Sequence, residues 1–315
     1  MQLIKLAYPL SVKYNSHIAE CSTWGWGWIR LDTGTVWVTG ASSGLGFYTA
    51  KALAKAGYLV IAGARSFKPY AGPCDCGVHR VPLDVRSVES IRAFKQQALL
   101  ISPRVDALYN CAGVLVLGSC EETSRDEYLN VFETNFLGTV EMTRAALPLM
   151  RAERNGRIIN FSSINGLLGT PFQSAYTASK HAIEGYSECL QMEVKPFGIQ
   201  VCLVEPGDHR GGSQSTRLHA AAATGDSPYG ELYQKGISTI ARDEAGGCDP
   251  EKLGIIAAGL LSKKRMPLRK RVAKFDQHLA VALHALFPAW LIQSILFGYY
   301  LGKGDTSHAK QKSGS

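Results

Sequence analysis

The sequence predicts an α/β fold, with a doubly wound parallel sheet in one domain and a helical segment at the carboxyl end. Three observations support this prediction. Short apolar runs typical of buried strands alternate with stretches typical of helices. The first run, residues 35–39, is followed at once by a glycine-rich turn and an apolar helix. Tyr176 and Lys180 lie four residues apart in a later predicted helix, so their side chains share one face.

The composition is that of a folded chain with a large core. Its 315 residues are 46% hydrophobic and 19% charged, which argues against disorder. The formal net charge is +8, and much of the excess lies in residues 263–274. This basic run could attract anionic lipid or an anionic cofactor, although a solvated face is its simpler interpretation. Because no nucleic-acid motif accompanies it, we expect no nucleic-acid partner.

The cysteines argue against a metal site. Of eight cysteines, only Cys74 and Cys76 form a tight pair, and no second pair or histidine cluster follows at zinc spacing. Free thiols in apolar runs are typical of a reducing compartment, so we expect a cytoplasmic protein. Residues 1–34 show neither a periodic pattern nor a signal peptide, and we expect an N-terminal arm there.

The turn after the first strand predicts a phosphate-binding loop. Residues 40–46 read GASSGLG, and a helix is predicted over 47–56. Small residues let the backbone approach a pyrophosphate, and the helix N-terminus offers free N–H groups. A simple strand-to-helix turn is the alternative. The cofactor-binding candidates in this loop are Gly40, Ser42, Ser43, Gly44, Leu45 and Gly46.

The end of the second predicted strand, residues 57–65, bears on cofactor choice. In dinucleotide-binding folds an acid at this point binds the ribose 2′-hydroxyl of NAD, whereas a nearby base accommodates the 2′-phosphate of NADP. Here Ala64 occupies the acid position and Arg65 follows it. The sequence therefore favours NADP(H) over NAD(H), with a surface arginine as the alternative interpretation.

Further strands and helices alternate as far as residue 207. Strands are predicted over 81–85, 107–110, 157–161 and 198–205, with helices over 87–100, 124–150 and 174–194. Residues 66–79 hold two prolines and two glycines and predict a loop or a stunted helix. In a parallel sheet, sites lie at the carboxyl ends of the strands. The residues singled out here lie at such ends or on an adjacent helix.

Residues 162–180 contain a candidate proton-transfer group. A phenol titrates near pH 10 unless its anion is stabilised, and Lys180, one helical turn from Tyr176, can stabilise it. Ser163 ends the preceding strand, where its hydroxyl can hold a substrate oxygen. Alone, the Tyr-x-x-x-Lys spacing is weak, because it also occurs by chance in many helices. Together with an upstream nucleotide loop it indicates a site.

The carboxyl-terminal third predicts a cover for the substrate. Residues 208–248 are rich in Gly, Ala and Ser and predict a mobile loop, with Asp208, His209 and Arg210 as polar candidates at its hinge. Residues 279–302 contain no formally charged residue, and the segment is long enough to span a bilayer. Pro288 interrupts it, however. We expect two short helices at 276–302 that close over the pocket or form a partner surface, with peripheral membrane contact through 279–302 as a further possibility. A disordered tail is expected at 303–315.

These motifs resemble those of the short-chain dehydrogenase/reductase superfamily. Residues 39–46 look like its cofactor loop, residues 110–113 look like its Asn-Asn-Ala-Gly turn, and Pro206-Gly207 looks like its motif after the sixth strand. The resemblance covers residues 35–275. It implies a Rossmann-type sheet, an NAD(P)-dependent enzyme acting on a CH–OH group, and a homo-oligomer.

The resemblance also implies the role of each site residue. Tyr176 would be the general acid or base, Ser163 would hold the carbonyl oxygen, and Lys180 would bind the nicotinamide ribose and lower the pKa of Tyr176. Asn135 would hold a water that links Lys180 to solvent. The cofactor contacts implied are Arg65, Asp84, Val85, Asn110, Ala112, Gly113, Tyr176, Lys180, Pro206 and Gly207.

Two positions depart from the family pattern. Cys111 replaces the second Asn of the turn, and Gly211 stands where many members place a threonine that binds the nicotinamide carboxamide. Ser213 or backbone N–H groups could replace that threonine. The apolar tail and the sequence Glu205-Pro-Gly are similar to the hydroxysteroid and retinol dehydrogenase branch, which implies a steroid-, retinoid- or fatty-type substrate.

Three function classes remain open from the sequence. The leading hypothesis is an NADP(H)-dependent oxidoreductase that interconverts a carbonyl and a secondary alcohol. Another class of enzyme, such as an epimerase or dehalogenase, is the second. The third is a catalytically silent NADP-binding sensor or scaffold, and retention of both Tyr176 and Lys180 argues against it.

Overall fold

The computed structural model describes residues 34–70, 72, 77–211, 217–224 and 226–302. The expectations for the N-terminal arm, the Cys74–Cys76 pair, Ser213 and the tail at 303–315 lie outside these residues, apart from Gly34 at the end of the arm. The loops predicted over 66–79 and 208–248 are described in part, and the other elements named above fall within the described residues.

A seven-stranded parallel sheet forms the centre of the fold. Its strands are β1 (Thr35–Thr39), β2 (Leu59–Ala64), β3 (Val78–Pro82), β4 (Ala107–Asn110), β6 (Gly156–Phe161), β7 (Ile199–Pro206) and β9 (Arg269–Val272). Their order is β3-β2-β1-β4-β6-β7-β9, so the strand order reverses between β1 and β4. A crevice forms at such a reversal, at the carboxyl ends of the strands. The predicted Rossmann-type sheet is confirmed.

Helices cover both faces of the sheet. They are α1 (Gly44–Lys55), α2 (Val88–Ile101), α3 (Arg125–Phe132), α4 (Gly138–Ala152), α5 (Ser174–Val194), α6 (Gly230–Ala245), α7 (Pro250–Ala258), α8 (Phe275–Leu286) and α9 (Ala289–Leu301). Two short strands, β5 (Leu115–Leu117) and β8 (Arg217–His219), pair in parallel beside the main sheet.

The core divides into two layers because side chains alternate along each strand. In β1, Val36 and Val38 pack with residues of α1 and α7, whereas Trp37 points to the other layer. Trp37 is fully buried and meets Phe94 of α2 edge-to-face, with ring centroids 5.5 Å apart. Burial on both faces explains why the strands are continuous apolar runs.

Several elements differ from their predicted bounds. β3 ends at Pro82 instead of residue 85, so Asp84 lies two residues beyond the strand. The helix predicted over 124–150 contains a π-helical turn at Glu133–Leu137, which joins α3 to α4 and holds Asn135. The loop predicted over 208–248 contains β8 and the sixteen-residue helix α6. Glycine and alanine enrichment misled the prediction there, because packing decides helix formation more than composition does.

The apolar tail forms two helices, as expected. α8 ends before Pro288 and α9 begins after it, since proline at this point fits the start of a helix but not its interior. Within the described part of the chain, neither these helices nor any other is both long and apolar enough to cross a bilayer. Several large side chains of the pair remain exposed, including Trp290 at 70% and Leu286 at 79%.

Candidate active site

A cleft of about 400 Å³ lies at the carboxyl ends of the strands. Its walls come from both halves of the sheet and from α5, α6 and α9. Lining residues that the sequence predicts are Gly40, Ser42, Ser43, Gly44, Leu45, Gly46, Arg65, Asp84, Val85, Ala112, Gly113, Ser163, Tyr176, Lys180, Pro206 and Gly207. Asn110 and Asn135 lie behind the wall. One cleft therefore holds nearly all the candidates.

The glycine loop forms one end of the cleft. Gly40 has a φ of +63°, and a Cβ there would lie 2.6 Å from the backbone of Ala112. Ser43 precedes α1 and makes no side-chain cap, so the N–H groups of the first turn remain available. The Thr39 hydroxyl accepts hydrogen bonds from the backbone N–H groups of Cys111 and Ala112, each at 3.1 Å. These features fit a pyrophosphate approached closely by backbone.

The adenosine side of the cleft carries Arg65 and Asp84. Arg65 is exposed at the end of β2 and has no ion pair among the described residues. The Asp84 carboxylate accepts a hydrogen bond from the backbone N–H of Arg86 at 3.0 Å. A guanidinium without a protein anion nearby is free to bind an anionic group of a ligand.

Asn110 serves the scaffold in this structure. Its side-chain amide donates to the side-chain oxygen Oδ1 of Asn160 at 2.9 Å and to the Thr143 hydroxyl at 3.3 Å. Asn160 in turn donates to Ser187 at 2.9 Å, and all four side chains are buried. The network ties β4 to β6, α4 and α5. The contact of Asn110 with the cofactor stays a prediction.

Asn135 anchors the segment that follows the Asn-Cys-Ala-Gly turn. Its side-chain oxygen accepts from the backbone N–H of Val114 at 2.8 Å, and its amide donates to the Val114 carbonyl and to the Ser179 hydroxyl, each at 3.0 Å. Because both amide hydrogens are used, the side chain can offer a water only the remaining lone pair on its oxygen. The relay through Asn135 stays a prediction, and the geometry adds a positioning role.

Ser163, Tyr176 and Lys180 meet at the centre of the cleft. Ser163 and Tyr176 both line the cleft, and the Ser163 hydroxyl lies close enough to lower the pKa of the Tyr176 phenol. The Lys180 ammonium lies 5.5 Å from the centre of the Tyr176 ring and donates to the Phe161 carbonyl at 2.7 Å. Ser163 and Lys180 are buried. The arrangement can hold a carbonyl oxygen between a hydroxyl and a phenol, with a cation behind.

The pKa values of the pair are set mainly by burial. Burial is the main cause that raises the pKa of Tyr176 to about 12, and the charges of Glu244 and Asp208 add to it, while the Ser163 hydroxyl acts to lower it. Burial lowers the pKa of Lys180 to about 8, although the nearby Cys111 and Glu184 act to raise it. Tyr176 is therefore held as the neutral phenol at neutral pH. That form donates a proton.

The end of the cleft opposite the glycine loop, lined by residues 208–209, α6 and α9 and called the substrate half below, is more acidic than the sequence predicts. Asp208 and His209 lie in its wall at the hinge, as suggested by their position after Gly207, together with Asp243 and Glu244 of α6 and Tyr300 of α9. Sequence reasoning missed the last three, because a loop was predicted where α6 lies. The uncharged tail gave no sign of which residue would reach the cleft. No cluster of potential metal ligands occurs among the residues described.

The chain matches known proteins over this region. The family model for short chain dehydrogenases matches residues 34–219. The chain is 36% identical to 3-ketodihydrosphingosine reductase of Bacteroides thetaiotaomicron over 84% of its own length and 96% of that protein. Two solved structures are similar. A short-chain dehydrogenase from Streptomyces avermitilis is 30% identical, with a TM-score of 0.71 over 86% of this chain and 97% of that one.

The second solved structure is ElxO with NADP bound. It is 28% identical, with a TM-score of 0.53 over 56% of this chain and 75% of that chain. The family match covers the glycine loop, the Ser163–Tyr176–Lys180 centre and the Pro206-Gly207 turn. The chain therefore belongs to the short-chain dehydrogenase/reductase family and is an NAD(P)-dependent oxidoreductase.

Proposed function

We propose that the protein is an NADP(H)-dependent oxidoreductase that interconverts a lipophilic ketone and a secondary alcohol. The observation that carries the proposal is that Ser163, Tyr176 and Lys180 lie together in the same cleft as the glycine loop, with the Lys180 ammonium 5.5 Å from the centre of the Tyr176 ring. A silent sensor has no need for a serine, a tyrosine and a lysine gathered in the cleft beside the glycine loop.

The proposed proton transfer follows from these contacts. Ser163 holds the carbonyl oxygen through its hydroxyl, and Tyr176 donates its phenolic proton to that oxygen during reduction. Lys180 binds the ribose hydroxyls and offsets the charge of the phenolate that remains. The chemistry that NADPH supplies when bound is hydride transfer to the carbonyl carbon. Microscopic reversibility makes the Tyr176 phenolate the base for oxidation.

The residues fit the bound dinucleotide at three points. Gly40 leaves no room for a side chain beside Ala112, so backbone lies close to the pyrophosphate. Asp84, Val85 and the exposed Arg65 line the adenosine side of the cleft. Asp84 and Val85 would hold the adenine, and the Arg65 guanidinium would pair with the 2′-phosphate. Support for NADP also comes from ElxO, which was solved with NADP bound.

The proposed substrate is a long-chain ketone. Leu115, Ile240 and Tyr300 supply apolar surface to the substrate half of the cleft. One relative is named for reduction of 3-ketodihydrosphingosine, a lipid ketone. The proposal includes peripheral membrane contact, because Phe275, Leu286 and Trp290 of the adjoining helices expose 83%, 79% and 70% of their surface. A homo-oligomer built on α4 and α5 is proposed from the family resemblance alone.

NADPH consumption tests the proposal. Purified protein is supplied with NADPH or NADH and a panel of steroid, retinoid and long-chain ketones, with Tyr176→Phe and, as the matched control, Tyr58→Phe outside the cleft wall. We expect one lipid class to oxidise NADPH, at a rate that Tyr176→Phe lowers at least about a thousandfold and Tyr58→Phe leaves within twofold. NADPH fluorescence that reports binding, with no oxidation by any ketone, would favour the sensor.

A further inference from the structure

Three carboxylates lie in the substrate half of the cleft, and they are not equivalent. Glu244 forms a buried ion pair with Arg217, and both side chains are 9% exposed. Asp243 accepts hydrogen bonds from Arg242 at 3.2 Å and from the Tyr299 hydroxyl at 2.9 Å. These two acids have cationic partners within the protein.

Asp208 lacks such a partner. Among the described residues no cation lies within ion-pair distance of its carboxylate, and the Gln277 amide donates to one oxygen at 2.5 Å. Lys274 acts on it only at longer range. Asp208 lies in the cleft wall directly after the Pro206-Gly207 turn. A carboxylate withdrawn from water without a counter-charge is costly, and a cationic ligand would remove much of that cost.

A second observation in the same cleft wall points to a ligand with hydrogen-bond donors. His209 lines the same cleft, and only 5% of its surface is exposed. Its Nε2 has no hydrogen-bond partner among the described residues. Its other ring nitrogen lies 2.9 Å from the Gly207 carbonyl, so Nδ1 carries the proton and Nε2 is an acceptor. The charges of Asp208 and Glu244 also raise the pKa of Tyr176, so both carboxylates lie within electrostatic reach of that phenol.

We propose that Asp208 binds the ammonium group of the substrate, which makes the preferred substrate a long-chain amino ketone or the corresponding amino alcohol. The inference rests on the proposed function, and it adds the chemical group that the cleft selects. The ammonium donates a hydrogen bond to the Asp208 carboxylate. Its positive charge also offsets the acidic field at Tyr176, so a substrate with the amine close to the ketone gains in rate as well as in binding.

Asp208→Asn provides a near-isosteric test. The asparagine keeps an oxygen that can accept from Gln277 but carries no charge. Asp276→Asn, at an exposed position at the start of α8 and outside the cleft wall, is the matched control for the loss of one negative charge. Melting temperature and NADPH affinity of both variants report whether the fold and the cofactor site are intact.

The assay compares 3-ketodihydrosphingosine with its N-acetyl derivative, which has the same chain and ketone but no charge. We expect Asp208→Asn to lower kcat/KM for the free amine about ten- to a hundredfold and for the N-acetyl compound less than threefold. Asp276→Asn should change neither. An equal loss on both substrates, or no loss on either, would overturn the inference, and an equal loss with weaker NADPH binding would assign Asp208 to the nicotinamide carboxamide instead.

Calorimetry separates this inference from the proposed function. Octylamine and 1-octanol are titrated into the protein with NADPH present, and we expect the amine to bind at least tenfold more tightly, with the preference lost in Asp208→Asn. If neither ketone oxidises NADPH, the proposed function fails. The preference for octylamine over 1-octanol then still shows whether Asp208 binds an ammonium group. Ketone reduction without any amine preference would overturn the subsite alone.

Discussion

Arg65 is predicted to set the preference for NADP(H). In the structure its guanidinium is exposed at the end of β2, in the cleft wall, and has no protein anion as partner in the described residues. A charge-assisted hydrogen bond contributes about 1.5–3 kcal/mol. Solvent screening at an exposed side chain reduces that to roughly 1–2 kcal/mol. Arg65→Ala should therefore weaken NADPH binding about five- to thirtyfold.

The prediction separates cofactor choice from the fold. Because Arg65 makes no ion pair with another described residue, its loss should change the free energy of unfolding by less than about 0.5 kcal/mol. NADH lacks the 2′-phosphate, so its dissociation constant should stay within twofold. Lys68→Ala, an exposed cation on the same loop but outside the cleft wall, is the control. The dissociation constants are measured by cofactor fluorescence at two salt concentrations. An equal loss for NADPH and NADH would refute the reasoning.

Three further predictions concern the loop, the phenol and the exposed helices. Gly40→Ala should abolish cofactor binding in a fluorescence titration, because its Cβ would meet Ala112 at 2.6 Å and its φ is +63°; a Kd within twofold would contradict this. With the pKa of Tyr176 at about 12 and that of Lys180 at about 8, ketone reduction should be fastest near pH 7, where the phenol is protonated and the ammonium is charged, and should fall above pH 8 as Lys180 loses its charge. Reduction that stays constant up to pH 9 would contradict this. Trp290→Ala should weaken binding to vesicles of phosphatidylcholine and phosphatidylglycerol about tenfold in a sedimentation assay, and Gln293→Ala should not.

The sequence predicts the sheet and the reacting centre well for a physical reason. Strands buried on both faces must be apolar throughout, and a turn that contacts phosphate must consist of small residues. The structure of residues 35–46 can therefore be predicted from the local sequence. The spacing of Tyr176 and Lys180 is likewise a property of one helix. Each of these signals depends on neighbours along the chain, and no knowledge of tertiary packing is needed.

The substrate half of the cleft cannot be predicted from the local sequence in this way. Asp243 and Glu244 reach the cleft only because α6 packs across it, and Tyr300 because α9 returns to α6 after Pro288. The π-helical turn at Glu133–Leu137 is equally hidden, since nothing in the local sequence distinguishes it from α-helix. The sequence also predicts that Lys180 lowers the pKa of Tyr176. That pKa is raised instead, because burial outweighs the proximity of the lysine.

The carboxyl-terminal helices are joined to the reacting centre by polar contacts as well as by packing. Gln277 of α8 bonds both the backbone N–H and the carboxylate of Asp208, directly after the turn that borders Ser163. The Tyr299 hydroxyl of α9 bonds Asp243 of α6. A change of sequence in α8 or α9 therefore alters the charge and shape of the substrate half, while the glycine loop and the Ser163–Tyr176–Lys180 centre stay fixed on the sheet. Substrate choice should follow these helices, and cofactor choice should follow β2.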